Sequence, residues 1–263
     1  MSILPGQLAF FFVLAIVPTI TIISYGASLL NLSTDVIYEF LTKAFSKDLA
    51  IMLLYPERTG LSGSSLILII VIGYYMASNG PASIILTSNA IYGEKQESWI
   101  RRRLKAFVMT FFLILLFIFI LIVPVFGETI TDILIEINVK SNILNYIIKI
   151  YNLLKGPLTW LIIFIFIKIL YKIAPNKEIE SKNVNIGAVF TSIGWILVTN
   201  IYSYYINNFA HYTTYYGGLA NIVILMLWFY LLAFIFTVGM ALNYRKEEER
   251  ELEKTGMINI NNK

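Results

Sequence analysis

The feature that most constrains this chain is its series of long apolar stretches. Six stretches approach or exceed the roughly 20 residues that a helix needs to cross the roughly 30 Å hydrocarbon core of a bilayer. They cover residues 8–30, 65–91, 105–126, 157–174, 184–209 and 218–243. Apolar residues make up 58% of the 263 residues, whereas roughly 45–50% is usual in soluble domains. The sequence therefore predicts an all-α, polytopic membrane protein, with residues 1–263 forming a single transmembrane domain of six transmembrane helices.

The distribution of basic residues predicts how these helices are oriented. An even number of crossings places both termini on one side of the membrane, and 14 of the 20 Lys and Arg residues fall in segments on that side. Basic residues are enriched in the cytoplasmic segments of membrane proteins. We therefore expect both termini in the cytoplasm, with residues 244–263 forming a charged tail. Helical charge spacing in this tail predicts ion pairs from Glu247 to Arg250 and from Glu251 to Lys254.

Two segments on the opposite, outer side have the pattern of amphipathic helices. In residues 33–49 and 143–154, apolar residues recur with helical spacing opposite polar ones. Such helices can lie flat at the outer interface or cap a cavity, and we favour the flat arrangement because amphipathicity alone requires nothing more. Lys155, Gly156 and Pro157 follow the second segment. They predict a break before the fourth transmembrane helix, with Pro157 in the first turn of that helix.

Uncharged polar residues interrupt the second and fifth apolar stretches. Pro81 lacks an amide hydrogen and disfavours helix at Gly80, so a kink or break is expected there. Broken helices often form substrate sites in transporters, whereas a simple proline kink in a helix bundle is the more frequent case. Polar side chains of the fifth stretch could hydrogen-bond between helices or line a pathway. The candidate polar cavity or pathway comprises Asn79, Pro81, Thr87, Asn89, Thr199 and Asn200.

A tyrosine-rich segment connects the last two stretches and contains the only histidine of the chain. Tyrosines are enriched where a protein meets the membrane interface, and paired glycines at 217 and 218 predict a tight turn into the last helix. We interpret the segment as a membrane-edge hinge. Its candidate outer gate comprises His211, Tyr212, Tyr215, Tyr216 and Gly217.

The last stretch contains a row of small residues at every fourth position. Ala233, Thr237 and Ala241 form this row, and such rows allow helices to approach closely. Packing within the chain explains the row, as does a homo-oligomer formed through the last helix.

No residue pattern in the chain indicates catalysis. Hydrolysis of a phosphodiester usually requires a metal held by carboxylates or histidines, or a positioned acid–base pair. The chain has one histidine, no cysteine and no acidic residue inside any of the six stretches. We therefore predict no catalytic, cofactor-binding or metal-binding residues and no nucleic-acid partner. The cytoplasmic basic patch, formed by Arg101, Arg102, Arg103 and Lys105, is interpreted as a topology signal whose partners are membrane lipids.

Several segments in a fixed order resemble the YihY/BrkB family of bacterial inner-membrane proteins, some of which carry the older label ribonuclease BN. They are LAFFFVLAIVP (8–18), SNGPASIILTSNAIYG (78–93), RRRLKAF (101–107), LYKIAPN (170–176), GAVFTSIGW (187–195) and the run YYINNFAHYTTYYGGLANIVILMLWFYLLAFIFTVGMALN (204–243). The resemblance implies six transmembrane helices, cytoplasmic termini and a location in the bacterial inner membrane. Relatives often have an acidic residue where this chain has Ala241.

From these observations we expect a transporter or translocator of an amphipathic or lipid-like molecule. A polar path with few charges suits a polar head moving along an apolar wall. Two alternatives stay open: a membrane scaffold or envelope-integrity protein that acts through partners, and a ribonuclease in line with the older family label.

Overall fold

The structure, a computed structural model, describes residues 3–29, 35, 38, 42, 47–54, 63–136, 141–209 and 218–254. Within these residues the chain is helical and contains no strand, which confirms the all-α prediction. The helices are α1 (Ile3–Leu29), α2 (Lys47–Leu54), α3 (Gly63–Ala77), α4 (Asn79–Tyr92), α5 (Trp99–Glu136), α6 (Ser141–Ile173), α7 (Asn185–Phe209) and α8 (Gly218–Lys254).

Three helical segments are long and apolar enough to cross a membrane by length and composition. They are Ile148–Ile173 of α6, Asn185–Tyr205 of α7 and Val223–Glu253 of α8. A shorter apolar segment, Pro5–Thr21, lies in α1. The described residues thus support a membrane protein with several apolar helices, and the count of six crossings stays a prediction.

The predicted break at Lys155, Gly156 and Pro157 is wrong, because α6 runs without interruption from Ser141 to Ile173 with Pro157 inside it. All three residues are exposed, and a Cβ added at Gly156 would meet nothing within 4 Å. The Thr159 hydroxyl donates to the Lys155 carbonyl oxygen at 2.7 Å, as hydroxyls within a helix commonly do. The amphipathic segment at 143–154 therefore lies within a single longer helix, near its beginning.

The other predicted amphipathic segment, residues 33–49, falls mostly outside the described residues. Asp35, Tyr38, Thr42 and the segment Lys47–Leu54 are helical. Tyr38 is half-buried and packs against a small apolar core shared by α1, α2 and α8.

Helix α8 is central to the packing, since its contacts with α7 and with α1 are the most extensive between described helices. The larger apolar core lies between α4, α5, α6, α7 and α8 and includes Ile84, Met109, Ile167 and Met240, all almost fully buried. Outward faces of α3 and α5 remain apolar and exposed. Their members include Ile67, Leu68, Val71, Ile72, Ile100, Leu104, Val108 and Phe111.

Candidate functional site

The second apolar stretch is divided at Ser78, which confirms the predicted break near Pro81. Helix α3 ends at Ala77 and α4 begins at Asn79. Pro81 has no amide hydrogen to donate to the Ala77 carbonyl, so the regular helical ladder is interrupted here. Ser78 keeps a right-handed conformation, with φ −67° and ψ −10°, and its amide still donates to the Tyr74 carbonyl at 3.0 Å. The break is therefore a local bend between two helices.

The guanidinium of Arg103, one turn into α5, occupies this bend. Its Nη1 donates to Ser78 Oγ at 2.7 Å and to Asn79 Oδ1 at 3.0 Å, and its Nη2 donates to the Tyr75 hydroxyl at 3.3 Å. The same guanidinium lies 4.4 Å from the centre of the Tyr75 ring and 5.8 Å from that of Trp99. Arginine suits this role because its planar group can donate in several directions and stack on aromatic rings.

A second hydrogen-bond network joins the end of α4 to the segment after α6. Asn89 Oδ1 accepts from the Asn176 amide at 2.8 Å, and Asn89 Nδ2 donates to Gln96 Oε1 at 3.2 Å. Lys105 Nζ donates to the Pro175 carbonyl at 2.8 Å and to Asn176 Oδ1 at 3.1 Å. The quoted motifs at 78–93, 101–107 and 170–176 therefore meet in space.

The polar residues of α4 lie beside the basic segment of α5. Arg103 bonds to Asn79, and Lys105 bonds to Asn176, which in turn bonds to Asn89. Residues 94–98 run back along α4, as the bond from Gln96 Nε2 to the Leu86 carbonyl at 3.0 Å indicates. Asn79 and Asn89 therefore lie beside the charged residues at the start of α5, which begins alongside the middle of α4.

A cavity of about 200 Å³ opens beside the bend, between α1, α4 and α5. Gln7 and Phe11 come from α1, Asn79 from α4, and Trp99, Arg102 and Arg103 from α5. None of the described residues that line the cavity is acidic. Two guanidinium groups without a facing carboxylate make its potential positive. The arrangement can receive an anionic group.

The first turns of α7 pack tightly against α6 and α8. Tyr171, fully buried in α6, shares a 2.7 Å hydrogen bond with Thr191 Oγ1 and donates to the Phe236 carbonyl at 2.7 Å. Gly187 approaches Gly239 so closely that a Cβ added at either glycine would overlap atoms of the facing helix. The expectation that polar groups of the fifth stretch bond between helices is confirmed for Thr191.

The acidic residue of greatest interest is one that the sequence assigned to a solvated tail. Glu247 is only 7% exposed and accepts a hydrogen bond from Asn183 Nδ2. A cavity of about 280 Å³ beside it is also lined by Tyr92, Lys177 and Tyr244. Burial, with a further contribution from the Glu247 carboxylate, raises the pKa of the Tyr92 hydroxyl. Although Ala241 stands where relatives often have an acidic residue, the last helix still carries a buried carboxylate at Glu247.

The predicted ion pair between Glu247 and Arg250 is wrong, because Glu247 accepts from Asn183 and Arg250 pairs with Glu180. Glu251 pairs with Lys177, so α8 is connected to the segment between α6 and α7 by two ion pairs. The predicted pair from Glu251 to Lys254 stays a prediction, because the Lys254 side chain lies outside the described residues. The bond from Lys177 to Glu251 raises the pKa of the lysine ammonium. Helical spacing alone could not reveal this, because the preferred partners are about 70 residues away along the chain.

The predicted pathway residues lie in different surroundings. Pro81 is buried, Thr87 is half-buried, and Thr199 Oγ1 accepts from Trp228 Nε1 at 3.3 Å. Asn200 is exposed on α7, whereas Asn79 lines the cavity and Asn89 belongs to the separate network. In the basic patch, Arg101 is exposed and the other three members are half-buried. The candidate outer gate lies outside the described residues, and its role stays a prediction.

Among the described residues, no group of three His, Asp or Glu side chains lies close enough to hold a metal ion. The small-residue row of the last helix is buried at Ala233 and Thr237 and half-buried at Ala241. Thr237 Oγ1 donates to the Ala233 carbonyl at 2.8 Å within α8. Packing within the chain therefore covers this row.

The apolar helices and their charged edge define the class, a helical membrane protein. The chain belongs to the family described as virulence factor BrkB, whose model matches residues 1–258. It is 29% identical over 251 residues to the putative ribonuclease-like protein YfkH of Bacillus subtilis, covering 94% of this chain and 90% of that protein. It is also 34% identical over 85 residues to the UPF0761 membrane protein IL2447 of Idiomarina loihiensis, covering 32% of this chain and 30% of that one. No solved structure matches the chain.

Proposed function

We propose that this protein is a transporter or translocator of an amphipathic, lipid-like molecule. The observation that supports this most is the positively charged cavity beside the bend at Ser78. Exposed apolar residues of α5, including Ile100 and Leu104, adjoin the cavity wall on the same helix. A molecule with a charged head and an apolar body could place each part in a matching environment.

The proposal includes a membrane arrangement. We propose six crossings, with α3 and α4 together forming the second, and both termini on the cytoplasmic side of a bacterial cytoplasmic (inner) membrane. The basic residues of the patch support this orientation because basic residues favour the cytoplasmic side. The cavity then opens toward the cytoplasmic half of the protein, beside the basic residues of α5.

Reconstitution into lipid vesicles tests the proposal. Vesicles with and without the purified protein are loaded with fluorescent amphiphiles of anionic, zwitterionic and neutral headgroups, and the movement of each across the bilayer is followed by quenching from outside. We expect faster movement of at least one class in protein-containing vesicles. Equal rates with and without protein for every class would contradict the proposal.

A second candidate function, RNA cleavage, is suggested by the name of the Bacillus relative. This candidate predicts metal-dependent cleavage of RNA by detergent-purified protein, with loss of activity in His211→Ala. Intact RNA across the usual divalent metals would remove it. RNA cleavage by wild-type protein that disappears in the variant would instead favour it over transport.

A further inference from the structure

Arg102 and Arg103 are adjacent in the chain and line the same cavity, but they differ in their hydrogen bonds to the described part of the protein. Arg103 is held by Ser78, Asn79 and Tyr75. The half-buried Arg102 guanidinium, in contrast, has no hydrogen-bond or ion-pair partner among the described residues. A guanidinium offers five N–H donors and no acceptor. Arg102 is therefore available to bind an acceptor-rich anion.

Other groups around the cavity are also donors. Asn79 uses its Oδ1 to accept from Arg103, and its Nδ2 donates to none of the described residues. Gln7 lines the opposite wall from α1, and within the described part of the chain its side-chain amide bonds to no other residue. The described lining thus presents two cations and two amides without a carboxylate, and this set matches the several acceptor oxygens of a phosphate group.

The surroundings of the cavity favour a lipid over a free phosphate. Trp99 is 57% exposed and stands at the rim, and tryptophan side chains are typical of the membrane interface. Ile100 and Leu104 continue the exposed surface of α5 beyond the rim. Phe11 and Leu86 supply apolar wall inside the cavity. An acyl chain could lie along these apolar residues while its headgroup enters the cavity.

We propose that the cavity between α1, α4 and α5 is a binding site for the phosphate-bearing headgroup of an anionic phospholipid, with Arg102 as its main phosphate ligand. Arg103 and Asn79 complete the site and couple it to the bend at Ser78. This assignment rests on the proposed function, since it names the chemical class of the molecule that the protein would move.

Native mass spectrometry of the detergent-purified protein tests the assignment by titration with phosphatidylglycerol against phosphatidylcholine. Arg102→Gln removes the proposed ligand. Arg101→Gln is the matched control, because it removes the same charge from the neighbouring exposed residue, which does not line the cavity. A charge-assisted hydrogen bond of typical strength corresponds to about a 10-fold change in affinity or more. We expect Arg102→Gln to weaken phosphatidylglycerol binding by about 10-fold and Arg101→Gln to leave it close to wild type.

Three outcomes would overturn the assignment. Equal losses in both variants would show general attraction to a basic surface, and unchanged binding in Arg102→Gln would show that the lipid binds elsewhere. Binding of glycerol 3-phosphate as tightly as the lipid would identify a free phosphate compound as the ligand. Melting temperatures of both variants establish that they are folded. The binding result is independent of flux: phosphatidylglycerol binding without lipid movement would refute the proposed function alone, and movement without Arg102-dependent binding would refute this assignment alone.

Discussion

Replacing Gly187 by alanine tests the packing that holds α7 against α8. Gly187 donates its amide hydrogen to Asn243 Oδ1 at 2.7 Å, and an added Cβ would overlap both this side chain and the Gly239 carbonyl oxygen. The carbonyl belongs to the backbone of α8, so relief requires the two helices to separate. Overpacking of this kind typically costs about 1–3 kcal/mol, and weakening the buried hydrogen bond adds about 1 kcal/mol. The higher helix propensity of alanine offsets about 0.5–1 kcal/mol of this loss in stability.

The expected net effect of Gly187→Ala is a loss of about 1–3 kcal/mol in the free energy of unfolding. Gly156→Ala is the matched control, because a Cβ there would meet nothing within 4 Å on an exposed part of α6. This control should stabilise the protein by about 0.5–1 kcal/mol. Unfolding in mild detergent, followed by tryptophan fluorescence during a denaturant titration, compares the two. If Gly187→Ala were as stable as Gly156→Ala, the close approach of α7 and α8 would be refuted.

Three further changes test other contacts. Tyr171→Phe removes two buried hydrogen bonds, so we expect a loss of about 1–3 kcal/mol in the same assay; an unchanged midpoint would contradict the buried network. Glu247→Ala leaves Asn183 Nδ2 without its acceptor and should cost about 1–3 kcal/mol, whereas the exposed Glu248→Ala should stay within about 0.5 kcal/mol of wild type. Because the bond to Glu251 raises the pKa of Lys177, its stabilisation is complete below the ordinary lysine pKa of about 10.4 and is lost as pH rises through the higher folded value. The difference in melting temperature between wild type and Glu251→Gln should therefore shrink in strongly alkaline buffer, and a constant difference would argue against the pair.

Local chemistry explains which features the sequence could predict. The bend before Pro81 follows from a missing amide hydrogen, and the helical class follows from the long apolar stretches. Thr191 could be expected to bond between helices because a hydroxyl on an apolar helix needs a partner. The missing amide hydrogen of Pro157 also predicted a break, but α6 continues through this exposed proline. Helices in membrane proteins tolerate proline in this way.

Local sequence patterns could not predict the contacts between distant segments of the chain. The return of residues 94–98 along α4 depends on bonds such as that from Gln96 to the Leu86 carbonyl, and nothing in the local sequence specifies it. This return brings Asn79 and Arg103 together and forms the cavity. Burial of Glu247 likewise depends on Asn183, which lies 64 positions earlier in the chain. Buried polar groups normally find partners, but the identity of the partner is set by the fold.

Movement of a fluorescent phosphatidylglycerol across the bilayer of reconstituted vesicles tests the central claim most directly. Wild-type protein, Arg102→Gln and Arg101→Gln are compared with protein-free vesicles at equal lipid-to-protein ratios. The account predicts that wild type and Arg101→Gln accelerate movement above the protein-free rate and that Arg102→Gln is markedly slower than both. A wild-type rate equal to that of protein-free vesicles would contradict it.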